Sequence, residues 1–347
     1  MKTILGLAIL SILSSAGMAR ADAVEDFYKG RTLVFVIGSN TGGSYDSYGR
    51  LFAAHFGSHV PGNPTVLPQN MPGASGIKSA TFLYQIAPKD GSTIGTFNQS
   101  MGQRQMLEPK SVQFDVSKFN WIGAMASSVN VFITWHTSGV ATIEDAKRKE
   151  VVMGALSGDG GNAVYPLLLN KFLGTRFKVV LGYQGGNTIQ LAMERGEVDG
   201  RGSVIWSGFK AGWPQWIAEK KVNILVQLGL ERDPDLPDVP LLIDLARDDM
   251  QAQIFRVISS DTVMGFPVTA PPGAPPGRVA ALRKAFAETM TDPVFLADAA
   301  KRNLPVRASP GDEVQKVMTS VVTTPKEVVA VLKQAIGEAM PNSKAAR

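Results

Sequence analysis

A short β-branched run, a glycine turn and a helix-spaced apolar face follow one another repeatedly along this chain, and that order leaves few folds open. Thr32-Leu33-Val34-Phe35-Val36-Ile37 ends at Gly38, after which Tyr48, Leu51, Phe52, His55 and Phe56 recur at helical spacing. Thr65-Val66-Leu67 predicts the next strand and Ile77 to Ile86 the next helix. A third strand, Thr93 to Phe97, follows the turn Pro88-Lys89-Asp90-Gly91. This β-α-β-α-β order predicts a parallel sheet covered by helices.

The order restarts with a strand over Val129 to Trp135 and a helix over Ile143 to Lys149. Strands Val151 to Ala155, Lys178 to Leu181 and Val222 to Leu228 then alternate with helices Ala163 to Phe172 and Thr188 to Arg195. Two proline-rich stretches follow, 233–240 and 271–276; apolar residues flank the second, which predicts an ordered surface loop. Beyond it, Val279, Leu282, Phe286 and Met290 share one helical face, and Asp292-Pro293 is an N-cap and first-turn pair for another helix.

The first residues speak to compartment. Lys2 precedes an apolar run, Ile4 to Ala16, too short for the roughly 20 residues of a membrane span. Ala19-Arg20-Ala21 and Ala21-Asp22-Ala23 both fit a signal peptidase site, so residues 1–21 are expected to be a signal peptide, with cleavage after 23 as the alternative. The mature protein is then expected in the periplasm. The 347 residues include no cysteine, which excludes disulfides, a cysteine-linked lipid and thiolate zinc. Losing Lys2 and Arg20 lowers the formal charge from +5 to +3. That surplus is scattered, so nucleic acid is not an expected partner. The remaining length suits two lobes.

Three patterns imitate enzymes. Gly38-Ser39-Asn40-Thr41-Gly42-Gly43-Ser44 has P-loop spacing, but Ser44 stands where the lysine is required. Gly158-Asp159-Gly160-Gly161-Asn162-Ala163 satisfies a dinucleotide fingerprint, yet the next strand ends near Tyr183-Gln184 without the acid that holds a ribose. An exported dinucleotide-dependent oxidoreductase is therefore the alternative reading. His55, His59 and His136 show neither metal nor triad spacing, and His55 lies on an apolar helix face. No metal or cofactor is expected.

The two glycine loops share a context that matters more. Each follows a buried-type strand and opens a helix, which aims unpaired backbone N–H groups and the helix dipole at one point. Each helix end contributes about 0.3–1 kcal/mol toward an anion, and about 2 when partly buried. At Gly160 a positive φ is expected, so that the backbone approaches the ligand closely.

Several spaced motifs carry a family resemblance. Gly42-Gly43-Ser44-Tyr45-Asp46 with Arg50 resembles G-G-x-x-D-x-x-x-R, and Asn70-Met71-Pro72-Gly73-Ala74-Ser75-Gly76 resembles N-x-P-G-A-x-G. Pro88 to Thr93, Gly196-Glu197-Val198-Asp199, and Arg232 with Leu236-Pro237-Asp238-Val239-Pro240 fit further family segments. Together, from about Phe27 to about Arg307, the chain resembles the Bug-type receptors, the extracytoplasmic substrate-binding proteins of tripartite tricarboxylate transporters.

That resemblance implies an α/β, two-lobed periplasmic binding protein of type II-like build, with two chain crossovers and a ligand between the lobes. The expected lobes are 26–126 plus 250–347, and 127–249. It also implies a non-enzymatic, monomeric receptor for a small organic acid, serving membrane transporter subunits; a same-fold receptor for a signalling system is the other option. The residues expected to hold the acid are Ser39, Asn40, Thr41, Gly42, Gly43, Ser44, Tyr45 and Asp46 in the first loop. Ser157, Gly158, Asp159, Gly160, Gly161 and Asn162 form the second, joined by Asn98, Tyr183, Gln184, Arg201 and Ser203. Tyr183-Gln184-Gly185-Gly186 matches the family's Y-x-G-G turn, with Gln184 in place of lysine. Asp159, an acid in an anion loop, implies a cap that points away or a ligand that brings a donor. Asp46 reads alternatively as a helix cap, Asn70 as a turn former, and Arg201 as half of a surface ion pair.

Overall fold

The run Thr32–Ile37 forms β1, and its side chains from Phe35 to Ile37 are buried. It pairs in parallel with β2 (Thr65–Asn70) on one side and β3 (Thr93–Thr96) on the other. β2 continues three residues past its expected end and tolerates Pro68 because it is an edge strand. The computed structural model describes residues 23–339 except 157 and 159. The expected signal peptide and its cleavage points therefore lie outside the described residues, as do Ser157 and Asp159.

The first sheet is mixed, which corrects the expectation of a parallel one. After β4 (Asn120–Ala124) the chain builds a second sheet from β5 (Asn130–Trp135), β6 (Val151–Gly154), β7 (Phe177–Val180), β8 (Gly200–Ile205) and β9 (Val222–Leu228). It then returns to the first sheet as β10 (Pro267–Ala270) and β11 (Ser309–Pro310). The order in the first sheet is β11-β4-β10-β3-β1-β2, with β10 antiparallel to both neighbours. A strand that returns outside any βαβ unit is not bound by the crossover rule that makes neighbours parallel. The second sheet, β7-β6-β8-β5-β9, repeats this: β6 is parallel to β7 and β8, while β5 runs antiparallel to β8 and β9.

Helical spacing translates directly into burial. Helix α1 (Ser44–Phe56) buries Tyr48, Leu51, Phe52 and Phe56. Phe52 stacks on Phe56 with centroids 4.3 Å apart and meets Phe286 of the helix Pro276–Thr291. A fully buried side chain of this size contributes about 1.5–3 kcal/mol. His55 is held rather than free, with Nε2 3.0 Å from Asp298 Oδ2. Asp292 caps the helix Pro293–Lys301, as its sequence predicts, by accepting the Val294 N–H at 2.8 Å. Further helices are α2 (Ile77–Gln85), α3 (Met101–Leu107), α4 (Ile143–Arg148), α5 (Gly161–Leu173) and α6 (Gly186–Glu194).

By contacts the chain divides into two units. The first comprises residues up to 101, 112–126 and 266–318; the second comprises 102–111, 127–265 and the residues from 319 on. The return therefore falls at 265/266 and not at 249/250. The helix Asp249–Ser259 packs on the 3-10 turn Leu242–Leu245, and the helix Lys326–Ala339 packs on α5, so both belong with the second sheet. Among the described residues, no helix is long and apolar enough to cross a membrane.

Candidate functional site

In the first unit, β1 leads through residues 38–43 into α1. The helix has Gly43 at its N-cap, without a side-chain cap, and its first backbone bond runs from the Ser47 N–H to Gly43 O at 2.9 Å. The N–H groups of Ser44 and Asp46 precede that bond and have no acceptor in the ladder. Gly42 sits at φ 85°, which glycine adopts without strain, and residues 40–44 are exposed. Ser39 Oγ donates to Asn40 O at 3.3 Å, and Thr41 Oγ1 donates to Asn70 Oδ1 at 3.4 Å.

Asp46 is only 3 % exposed and does not face solvent as a ligand group would. Its Oδ2 accepts the Gly42 N–H at 2.9 Å; the Arg50 Nε–H reaches Oδ1 at 2.9 Å and Oδ2 at 3.0 Å; Asn70 Nδ2 donates to Oδ1 at 2.8 Å. Burial pushes its pKa up, but the hydrogen bonds from Arg50, Gly42 and Asn70 outweigh that and hold it below the ordinary value. Its oxygens are engaged within the first unit, and it is not the helix cap of the alternative reading, since the N-cap is Gly43. Asn70, expected as a turn former, ends β2 and bridges this group. The Tyr45 hydroxyl donates to Gln99 Oε1 at 3.1 Å and accepts the Gln99 N–H at 3.0 Å. Asn98 Oδ1 accepts from Ser100 N and Oγ at 2.9 and 2.7 Å, shaping the turn into α3.

In the second unit, β6 leads into α5, whose N-cap is Gly160 at φ −81°, ψ 151°. Any residue adopts that conformation, so the expected positive φ at Gly160 is corrected. Gly160 O accepts the N–H groups of Ala163 and Val164, both at 2.9 Å, which leaves those of Gly161 and Asn162 ahead of the ladder. A Cβ on Gly161 would lie 3.1 Å from Ser203 Oγ and 3.1 Å from a Tyr165 ring carbon, so these three residues are neighbours. Ser203 reaches this place through a bulge. Val131 pairs with Val204 and Ile133 with Arg201, so Gly202 and Ser203 together oppose Phe132, and Ser203 takes φ 53°. Bulges of this kind re-aim a side chain, at a cost in backbone strain.

Arg201 enters from the same strand. A Cβ on Gly186, the first residue of α6, would collide with the Arg201 guanidinium, so the cation lies against that helix start. Arg201 is half-buried, and among the described residues it makes no ion pair; its Nε is buried without a partner. The expected surface ion pair is therefore absent there, and burial holds its pKa below the usual guanidinium value. Asn162 Oδ1 is likewise buried and unpartnered. The Tyr183 ring packs over Gly154 at the end of β6, Gly158 lies near Leu181, and Gln184 is exposed, with Nε2 donating to Gly182 O at 3.3 Å.

The structure thus brings Gly161, Ser203 and Tyr165 together, and Arg201 with Gly186. Tyr165, Gly186, Arg50 and Asn70 were absent from the expected site. Only the Y-x-G-G turn and the two glycine motifs hinted at the last three. Other signature residues serve the fold: Asp199 Oδ2 accepts the Val152 N–H at 2.8 Å, and Arg232 binds the carbonyls of Pro237 and Val239.

Two α/β units, two mixed sheets of this order and a chain that leaves one sheet and returns define a solute-binding protein of the periplasmic type. The chain belongs to the family described as "Tripartite tricarboxylate transporter family receptor", which matches residues 58–334. The resemblance read from the motifs is borne out. A ligand-free TctC solute-binding protein from Polaromonas is similar in fold, with TM-score 0.68, 17% identity and coverage of 90% of this chain and 99% of that one. So is an adipate-bound protein of R. palustris, with TM-score 0.56, 16% identity and coverage of 87% and 97%. MatC from Rhodopseudomonas palustris, with bound malate, has TM-score 0.54, 19% identity and coverage of 88% and 99%.

Proposed function

We propose that the protein is a periplasmic receptor that captures a small organic carboxylate reversibly and delivers it to the membrane subunits of a tripartite transporter. The observation that carries this reading is the Arg201 guanidinium, half-buried, unpaired among the described residues and set against the start of α6. A cation and a helix N-terminus at one place leave an anion as the missing group. Magnitudes favour the guanidinium as the main contact. A micromolar complex needs about 8 kcal/mol. A helix end contributes about 0.3–1 kcal/mol, and a hydrogen bond to a charged group about 1.5–3 kcal/mol.

In this reading the amides of Gly161 and Asn162 add to the contact within the second unit, and the loop at residues 40–44 offers a like set of backbone amides to an acid in the first. A hydroxyl beside the carboxylate would satisfy Asn162 Oδ1. The malate- and adipate-bound relatives support an acid of this class. Nothing is made or broken, so the protein acts as a monomeric receptor and not as an enzyme. Calorimetric titration with malate and adipate tests the assignment. Arg201→Met is expected to weaken the better acid by roughly ten- to a hundredfold, the loss of one charge-assisted hydrogen bond. Ligand-free melting should hold or rise, since an unpaired buried cation is removed. Wild-type affinity in this variant would contradict the assignment.

A further inference from the structure

We propose that Asp46, Arg50 and Asn70 are positioning residues for the loop at residues 39–43: a charge-neutral clamp that fixes the loop and screens the Asp46 carboxylate from an incoming acid. The proposal rests on the reading that this loop contacts the ligand. Its geometry is a closed ring. Arg50 Nε grips Asp46, its Nη2 donates to Asn70 Oδ1 at 2.8 Å, and Asn70 Nδ2 returns to Asp46 Oδ1 at 2.8 Å. The cation sets the orientation of the Asn70 amide, with oxygen toward guanidinium and nitrogen toward carboxylate.

Both ends of the loop are tied to this ring. Ser39 O accepts Asn70 Nδ2 at 3.1 Å, and the Gly42 N–H enters Asp46 Oδ2 at 2.9 Å. The acid and the arginine come from one sequence motif and the asparagine from another, so the ring explains why both motifs accompany a single loop. It also resolves a conflict. A carboxylate in the first turn suits the helix dipole but opposes a second anion at the same helix start. Partnered with Arg50, Asp46 keeps the first role without the second.

Arg50→Met tests the clamp. In ligand-free protein, hydrogen exchange over residues 39–46 should quicken. Affinity for malate or adipate should fall about tenfold near neutral pH. It should recover as pH falls, because a buried Asp46 without its cation has a raised pKa and loses its charge on mild acidification. The pair Asp46→Asn with Arg50→Met should recover most of the affinity at neutral pH and show none of that recovery on acidification. A pair that binds as poorly as Arg50→Met, or an Arg50→Met protein with wild-type exchange, would overturn the clamp. If the wild-type protein takes neither acid, the receptor reading fails by itself, and the exchange arm still decides the clamp.

Discussion

The two glycine-rich helix starts look alike in sequence and differ in charge. At α1 the carboxylate in the first turn is fully engaged by Arg50, Asn70 and the Gly42 amide, leaving a loop of exposed backbone without net charge. At α6, which opens at Gly185-Gly186, strand β8 brings in Arg201, which has no ion-pair partner among the described residues. One start is tuned by cancelling a charge, the other by keeping one. A strand, a glycine turn and a helix therefore specify an anion site only together with the longer side chains around them. Loss of the Arg201 charge should accordingly exceed any effect of reshaping its surroundings.

A milder change sharpens the contrast. Gly186→Ala places a Cβ where the guanidinium lies. Because the obstacle is the end of a flexible side chain, the fold should tolerate it while the cation swings aside. We expect acid affinity to fall about three- to tenfold, the equivalent of roughly 1 kcal/mol, with nearly unchanged melting. If affinity holds, Arg201 does not need its place beside α6.

The smallest effect belongs to α1. Asp46 has a folded-state pKa below its ordinary 3.8, so its contribution to stability is present above that value and is lost as pH falls through the lower, folded one. Asp46→Asn should melt about 2–4 °C lower near neutral pH, and the gap should close in strong acid. A gap that stays constant with pH would mean that the carboxylate charge contributes nothing to the clamp. Arg201 does not titrate in that range, so the two helix starts separate by pH alone.

Much of this was legible in the residues because it depends on local order. The β-branched runs marked β1, β3, β6 and β9, and the spacing of Tyr48, Leu51, Phe52 and Phe56 marked α1. What depends on distant partners was not. β10 lies antiparallel between strands that precede it in the chain, and no local pattern encodes that. The return at 265/266 follows from the packing of the helix Asp249–Ser259 on the turn Leu242–Leu245. The bulge that turns Ser203 toward Gly161 arises from register against β5. Arg201 could be read either as a ligand contact or as half of a surface ion pair, because a single arginine carries no sign of what its neighbours leave unpaired.

The most direct test of the account is calorimetric titration of the wild-type protein with malate, adipate and the corresponding diamides, which match in shape but carry no charge. The account predicts that at least one acid binds and that its diamide binds roughly tenfold or more weakly, since a neutral amide loses the ion-pair attraction to the guanidinium and turns an NH2 donor toward N–H groups that need an acceptor. A diamide that binds as tightly as its acid, or binding of a neutral sugar where neither acid binds, would contradict it.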